Sequence, residues 1–230
     1  MSSELRELAL KRGRRRSSMG LYRVFRGFLR RVVAPYLRLR SENAEVLELP
    51  GPTILAPVHR SNLDSVLIAT LTSRRIRALG KESLFTTPGV GYVCAALGAI
   101  PVKRGAADKD AMKAALRLLS DGESMIVFPE GGRQHGNTIG PLFDGAAWLA
   151  SRTGARVVPI GVAGTEEVLP QGARRVHRSD VAIVVAEPME LVGNEGRRPD
   201  RQQLQAFTEQ LRVELQKAQD RAVALAAGEV

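Results

Sequence analysis

The segment TILAPVHRSNLD, residues 53–64, places a histidine and an aspartate directly behind a short apolar run. Prolines bound this run, which is typical of a buried β-strand. Ser61 or Asn62 is suited to cap a helix, which the apolar pattern predicts over about residues 62–73. The segment therefore predicts a strand, a turn that carries His59, and a helix whose first turn carries Asp64.

His59 and Asp64 have two interpretations. Asp64 can hold one imidazole nitrogen and leave the other free, which would make His59 a general base for a hydroxyl proton. Alternatively, Ser61 and Asp64 are nearly a capping box, and an acidic residue stabilises a helix N-terminus without any catalytic role. The segment alone leaves both interpretations open.

Strand and helix patterns alternate along the chain, which predicts an α/β fold. We expect a single domain with a central, mostly parallel or mixed β-sheet flanked by helices, preceded by an amphipathic helical element. The length of 230 residues suits this organisation. We divide the chain into a basic N-terminal segment, residues 1–42, and a domain, residues 43–230. A short strand is also predicted at residues 46–49.

Positive charge is concentrated at one end of the chain. The net charge is +10, and residues 1–40 alone hold 12 Lys or Arg against two Glu. The rest of the chain is therefore electrically balanced. A basic segment of this kind can bind anionic lipid or nucleic acid.

A helix predicted around residues 21–36 distinguishes these partners. Apolar residues lie on one side and arginines on the other, which is typical of a helix in a membrane interface, although the apolar side could instead pack on the core. Nucleic acid is not expected, because it would use the arginines but not the wide apolar side. Pro35 should kink or end the helix. The predicted membrane-docking residues are Leu21, Phe25, Phe28, Val32 and Tyr36, with Arg23, Arg26, Arg30 and Arg31.

Neither a signal peptide nor a transmembrane helix is predicted. The longest nearly uncharged apolar stretch, residues 90–102, is too short to span a bilayer. We therefore expect a peripheral location on the cytoplasmic face of a membrane. The single cysteine, Cys94, excludes an internal disulfide and fits a reducing compartment. Its apolar surroundings favour a core position over a nucleophilic role.

Three further stretches combine apolar runs with residues of interest. Arg104 follows a glycine and an apolar run, where an arginine can bind phosphate or remain a surface cation. Glu130 and Gly131 lie in FPEGGR, a loop that brings backbone N–H groups and Arg133 near a ligand, unless it is a plain turn. Pro159 interrupts an apolar strand, which marks a sheet edge or a bulge.

In chain order these stretches are His-x4-Asp, Gly-x-Ile-Pro-Val-x-Arg, Phe-Pro-Glu-Gly-x-Arg and Val-Val-Pro-Ile-Gly. The sequence resembles the glycerolipid acyltransferase family, the 1-acylglycerol-3-phosphate acyltransferases and their relatives, from about Pro50 to Pro188. The segments at residues 81–85, 143–146 and 164–165 look like the family's connecting sequence. Four blocks in this order and spacing are specific, which favours the catalytic interpretation of His59.

The resemblance implies that His59 deprotonates the acceptor hydroxyl and that Asp64 orients it. The donor would be an acyl thioester on coenzyme A or acyl carrier protein, without a cofactor or metal. The resemblance also assigns Arg104, Glu130, Gly131 and Arg133 to binding the acceptor, a glycerol phosphate, and Pro159 and Gly98 to the acyl donor or to shaping the site.

The implied function is transfer of a fatty acyl group to the free hydroxyl of 1-acylglycerol-3-phosphate, which gives phosphatidic acid. General-base catalysis would proceed without an acyl-enzyme. The expected partners are an anionic membrane surface, the lysophospholipid and the acyl donor. Alternatives are another lipid acceptor, thioester hydrolysis, or a non-catalytic basic peripheral membrane protein.

Three positions depart from the family's pattern. Val58 stands where an Asn often precedes the histidine, and Gly132 replaces the usual Thr or Ser before the arginine. Asp144 replaces a frequent Lys. The first two departures concern the identity of the acceptor rather than the reaction class.

Overall fold

A central β-sheet organises the molecule. The computed structural model describes residues 2–87, 89–102, 108–173, 175–191 and 199–229. Its strands are β1 (Arg40–Glu42), β2 (Thr53–Pro57), β3 (Ile76–Lys81), β4 (Ala99–Val102), β5 (Ser124–Ile126), β6 (Arg156–Ala163) and β7 (Ala182–Val185). They form one seven-stranded sheet in the order β1-β7-β6-β2-β5-β3-β4. All these pairs are parallel except β6 with β7, so the predicted α/β fold with a mixed sheet is confirmed.

Helices cover both faces of the sheet. They are α1 (Ser2–Gly13), α2 (Arg16–Phe28), α3 (Ala34–Tyr36), α4 (Asp64–Ile68), α5 (Glu82–Thr86), α6 (Val90–Ala96), α7 (Lys109–Ser120), α8 (Gly145–Thr153), α9 (Thr165–Val168) and α10 (Arg201–Ala227). A π-helical segment, Leu29–Val33, joins α2 to α3, and a 3-10 helix spans Ala44–Glu48. Asp200 caps α10 through a capping box with Gln203.

Strand β2 lies at the centre of the sheet and leads into the turn that carries His59. All five of its residues are buried, as the apolar run predicts. Successive side chains enter opposite apolar cores: Leu55 packs in the core that contains Leu67, and Ile54 in the core that contains Leu149. Because β2 to β6 run parallel, the turn lies at the edge where their carboxyl ends meet.

Two predicted elements are wrong in detail. Residues 46–49 belong to the 3-10 helix and not to a strand. Helix α4 ends at Ile68, well before residue 73, and the Thr70 hydroxyl donates to the Leu67 carbonyl at 2.6 Å there. Such local side-chain bonds compete with helix continuation. Leu63 occupies the N-cap without a side-chain bond, so neither Ser61 nor Asn62 caps the helix.

Pro159 lies in an interior strand, because β6 is flanked by β2 and β7. Of the two predicted alternatives, an edge or a bulge, the edge is therefore wrong. The antiparallel ladder with β7 ends at the pair of Ile160 and Val185. Beyond it, the Pro159 carbonyl accepts one further hydrogen bond from Ala186 N at 3.0 Å. The pairing resumes at Val157, which lies opposite Met189, and between the two paired positions the partner segment has one residue more than β6. Pro159 therefore stands in a bulge, where its missing N–H is tolerated.

The N-terminal helices pack on the domain through one side. Tyr22 and Leu29 are buried, and the Tyr22 hydroxyl accepts a hydrogen bond from Ile76 N at 3.3 Å. The buried Arg6 of α1 donates to the Pro101 carbonyl at 3.2 Å. The helical segment ends at Tyr36, next to Pro35, as predicted. The boundary between residues 42 and 43 stays a prediction.

Candidate active site

His59 and Asp64 meet in the turn between β2 and α4. Nδ1 of His59 lies 2.9 Å from Oδ2 of Asp64, and both side chains are buried. Because α4 begins at Asp64, the chain folds back and brings the carboxylate over the imidazole. The pairing expected from the spacing is therefore present.

The Asp64 carboxylate receives three further hydrogen bonds. Oδ2 accepts from the backbone N–H groups of Arg60 and Ser61, each at 2.8 Å. Oδ1 accepts from the Thr165 hydroxyl at 2.6 Å. Asp64 therefore binds the imidazole and two backbone N–H groups of the histidine turn, while its catalytic role stays a prediction.

The His59 ring is held on its other side by an aromatic stack. Its centroid lies 3.7 Å from that of Phe128, with an interplanar angle of 19°. A carboxylate at Nδ1 favours the tautomer that is protonated there, which leaves a lone pair on Nε2. Nε2 is buried and has no hydrogen-bond partner in the described part of the chain. An orphaned buried acceptor of this kind is suited to receive a substrate proton.

His59 and Phe128 line a cavity of about 460 Å³. Most of its wall is aliphatic or aromatic, which suits a hydrocarbon chain. Much of the apolar wall comes from residues 22–29, 76–84 and 94–99, and includes Tyr22, Phe25, Leu29, Ile76, Ala78, Leu79, Leu84, Leu97 and Ala99. A long apolar ligand can therefore reach the imidazole.

Arg133 lines the same cavity as His59. It is half-buried and makes no hydrogen bond or ion pair with the described residues, so its guanidinium is available to an anion. Gly131 has a φ of +72°, and a Cβ there would lie 2.6 Å from the Phe143 ring. Gly132 has open space around it, so steric crowding does not explain the missing Thr or Ser. Arg104 lies outside the described residues.

Glu130 faces the protein interior. Its carboxylate accepts two bonds from the Arg60 guanidinium, both at 2.9 Å, and one from His59 N at 2.8 Å. The exposed fractions of the two side chains are 4% for Arg60 and 2% for Glu130. This pair fixes the backbone of the histidine turn from behind. The predicted role of Glu130 in acceptor binding stays a prediction, since its carboxylate is bound to Arg60 and His59 N.

Two other residues assigned to the site do not themselves line the cavity, although Leu97 and Ala99 on either side of Gly98 do. Gly98 directly precedes β4, at the amino-terminal end of that strand, and has a φ of +98°. An added Cβ would contact Arg75 and Arg77 at 3.3 Å, so the position requires a small residue for packing. Pro159 lies in β6 opposite Ala56, where it supports β2.

Cys94 lines the cavity from α6. Burial raises the pKa of its thiol above the usual range, which disfavours the nucleophilic thiolate. This agrees with the expectation that Cys94 is not an acyl-enzyme nucleophile.

The apolar side of the N-terminal helix is divided between two environments. Phe25 lines the cavity, and the neighbouring Leu29 is buried. A second row is exposed and comprises Leu21, Val24, Phe28, Val32 and Tyr36; we call it the apolar stripe. Among the predicted arginines, Arg26 donates to the Thr72 carbonyl at 2.8 Å. None of the described helices has the length and apolar character needed to cross a bilayer.

The sequence analysis missed two residues that organise the site. Arg60 stands beside the histidine, but its partner Glu130 is 70 positions away. Thr165 lies 101 positions from Asp64. Two features of the sequence could have indicated them: Arg60 lies inside the His-x4-Asp block, and Thr165 belongs to the Gly-Thr pair that resembles the family's connecting sequence.

Comparison with known proteins agrees with this geometry. The chain is 30% identical over 141 residues to 1-acyl-sn-glycerol-3-phosphate acyltransferase BAT2, chloroplastic, of Brassica napus, covering 60% of this chain and 41% of that protein. It is 23% identical over 180 residues to the 1-acyl-sn-glycerol-3-phosphate acyltransferase of Bacillus subtilis, covering 78% and 87%. The chain thus spans less than half the length of the plant relative.

A solved structure has the same fold. The crystal structure of the 1-acyl-sn-glycerophosphate acyltransferase PlsC from Thermotoga maritima superposes with a TM-score of 0.71 at 22% identity. The match covers 94% of this chain and 87% of that chain. Residues 38–163, more than half of the sequence and including both His59 and Asp64, match the family described as Acyltransferase. The chain therefore belongs to the acyltransferase family.

Proposed function

We propose that the protein is an O-acyltransferase that acylates the free hydroxyl of 1-acylglycerol-3-phosphate and forms phosphatidic acid. The donor is an acyl thioester on coenzyme A or acyl carrier protein. The observation that carries the proposal is Nε2 of His59, to which the described residues offer no hydrogen-bond partner and whose ring binds Asp64 and lines a large apolar cavity. The names of the relatives support the choice of acceptor.

The reaction follows from the properties of these groups. Nε2 of His59 accepts the hydroxyl proton as the hydroxyl oxygen forms a bond to the thioester carbonyl carbon. The resulting tetrahedral intermediate collapses, the carbon–sulfur bond breaks, and the imidazolium returns the proton to the leaving thiolate. Asp64 holds the imidazole in orientation throughout. Cys94 takes no part, so the acyl group passes to the acceptor in one displacement.

Acceptor and donor occupy different parts of the cavity in this proposal. Arg133 binds the acceptor phosphate by charge-assisted hydrogen bonds, and Arg104 and Gly131 keep their predicted roles there. The apolar wall receives the acyl chain. General-base catalysis contributes about 10²–10⁴-fold, so holding both substrates in one pose supplies much of the remaining rate.

The N-terminal helix brings this cavity to a membrane in our proposal. The apolar stripe enters the lipid interface, while Arg23, Arg26, Arg30 and Arg31 contact lipid phosphates. These four arginines line a second cavity around Gly27, and none of the described carboxylates lies in its wall. Arg26 also lines the apolar cavity, so the two regions adjoin. Each arginine near an anionic leaflet contributes on the order of 1 kcal/mol, which favours a cytoplasmic, peripheral location.

One assay tests the proposed reaction. Purified protein is incubated with labelled acyl thioesters and a panel of lysophospholipids, and the products are resolved by mass spectrometry. We expect acylated product with 1-acylglycerol-3-phosphate, and its loss in His59→Ala. The matched control is His177→Ala, which removes an exposed histidine and should retain activity. Turnover in folded His59→Ala would refute the base assignment, and absence of product from every acceptor would favour a non-catalytic protein.

A further inference from the structure

We propose that Thr165 is a positioning residue of the catalytic pair, whose hydroxyl fixes the Asp64 carboxylate and thereby the basicity and orientation of His59. The inference rests on the proposed general-base function and extends the functional unit from two residues to three. Thr165 does not line the cavity, so its effect would pass through Asp64 rather than through substrate contact.

The hydrogen bonds around Asp64 divide unequally between its two oxygens. Oδ2 accepts from His59 Nδ1 at 2.9 Å and from two backbone N–H groups. Oδ1 accepts from the Thr165 hydroxyl at 2.6 Å, and no other described residue donates to Oδ1. Asp64 and Thr165 are both fully buried. Removal of the hydroxyl would therefore leave a charged oxygen without a partner, in a region that water does not reach.

The backbone places Thr165 firmly at this position. Gly164 has a φ of +82°, and a Cβ there would lie 2.0 Å from the Asp180 carbonyl oxygen, so the close approach requires glycine. Helix α9 begins at Thr165, and directly after it the Leu169 carbonyl accepts a bond from the Ser61 hydroxyl at 3.0 Å. The segment is thus joined to the histidine turn at both ends, which holds the hydroxyl in register with Asp64.

The chemical consequence concerns the proton on the imidazole. With Oδ1 satisfied by Thr165, part of the carboxylate charge is stabilised by a donor other than His59. Without that donor, the carboxylate attracts the imidazolium more strongly, and Oδ1 is no longer fixed while Oδ2 keeps its three hydrogen bonds. A strongly held proton is returned less readily to the leaving thiolate. Catalysis should then slow.

Thr165→Val tests this, because valine keeps the shape of threonine and removes the hydroxyl. We expect kcat to fall roughly 10- to 100-fold, the range that corresponds to a lost hydrogen bond to a charged group. The KM for the acceptor should change little, and the acidic limb of the pH–kcat profile should move to higher pH. Thr165→Ser, which retains the hydroxyl, should restore most of kcat and the wild-type limb.

The matched control is Thr208→Val. The Thr208 hydroxyl donates to Asp144 Oδ1 at 2.7 Å and is also buried, but this bond joins α10 to the start of α8 and not to the histidine turn. Its loss should lower thermal stability without moving the pH profile. The other charged groups that face the catalytic pair are unchanged in all variants: Arg60 and Glu130 behind the turn, and Arg26, Lys81 and Arg133 around the cavity.

A folded Thr165→Val enzyme with wild-type kcat and an unshifted acidic limb would overturn the inference. A uniform loss at every pH that matches the unfolded fraction would overturn it as well. If the valine variant does not fold, the same comparison is made between Thr165→Ser and Thr165→Ala, of which only serine has a hydroxyl. Activity lost in His59→Ala but normal in Thr165→Val refutes this inference alone, whereas activity in His59→Ala refutes the proposed function.

Discussion

The buried ion pair behind the histidine turn makes a prediction with a calculable size. Replacement of Glu130 by Gln leaves the Arg60 guanidinium buried without its countercharge. Removal of one partner of such a pair costs about 3–5 kcal/mol, a large part of the roughly 5–15 kcal/mol that stabilises a domain. For a protein of this size, about 1 kcal/mol corresponds to roughly 2–4 °C in Tm. The Tm should therefore fall by roughly 6–20 °C.

The measurement combines thermal unfolding with steady-state kinetics. In Glu130→Gln we expect a lower kcat, because His59 N loses a charged acceptor, and a smaller change in the KM for the acceptor. A double variant with Met at positions 60 and 130 should recover much of the Tm, since apolar replacement of a buried pair is often neutral or stabilising. It should not recover kcat, because the bond to His59 N is still missing.

A second ion pair provides the control. Arg77 is almost fully buried and binds Glu123 at 2.9 Å, but the Glu123 side chain is 26% exposed. Glu123→Gln should therefore lower the Tm less than Glu130→Gln and leave the kinetics unchanged. The reasoning fails if Glu130→Gln melts like the wild type and instead raises the acceptor KM, because Glu130 would then bind substrate rather than support the turn.

Three further predictions concern substrate and membrane binding. Arg133→Gln should raise the KM for the acceptor roughly tenfold or more, from loss of a charge-assisted bond, and leave the donor KM unchanged; equal effects on both substrates would contradict this. Alkylation of Cys94 by maleimide should block turnover, and bound acyl donor should protect Cys94 from alkylation. Because burial raises the pKa of the thiol, the alkylation rate should still rise with pH above the pH at which that of an exposed thiol levels off. Fast labelling at neutral pH would contradict this prediction. Val24→Asp with Phe28→Asp should weaken sedimentation with anionic vesicles, whereas Val213→Asp on the exposed side of α10 should not; unchanged binding of the double variant would reject the apolar stripe as the docking surface.

The local part of the site could be predicted from sequence. An apolar run, a turn and a helix start were enough to bring His59 and Asp64 together, because all the determinants lie within 12 residues. The length of α4 could not be predicted, since the apolar pattern continues beyond Ile68 while the chain turns away at Thr70. The spacing of apolar residues indicates which side chains become buried, but it does not distinguish a continuing helix from a tight turn.

The long-range part of the site could not be predicted because charge and polarity do not specify a partner. Glu130 in a glycine-rich loop suggested a ligand, and only the sheet order brings it beside Arg60. Pro159 suggested either an edge or a bulge by its chemistry, and only the pairing of β6 with β7 and Met189 decides for the bulge. The N-terminal helix had two plausible environments for one apolar side, and the fold divides that side between them.

Arg6 has a practical consequence for anyone who studies the N-terminal region by truncation. Its guanidinium binds the Pro101 carbonyl and Asp108, on the two flanks of the residues that include Arg104. Leu37 is also completely buried, in the same core as β2. Cutting away the first 40 residues would thus remove interior contacts together with any lipid anchor, and a loss of activity would have two explanations. Single substitutions in the apolar stripe distinguish these two explanations, because its residues are exposed.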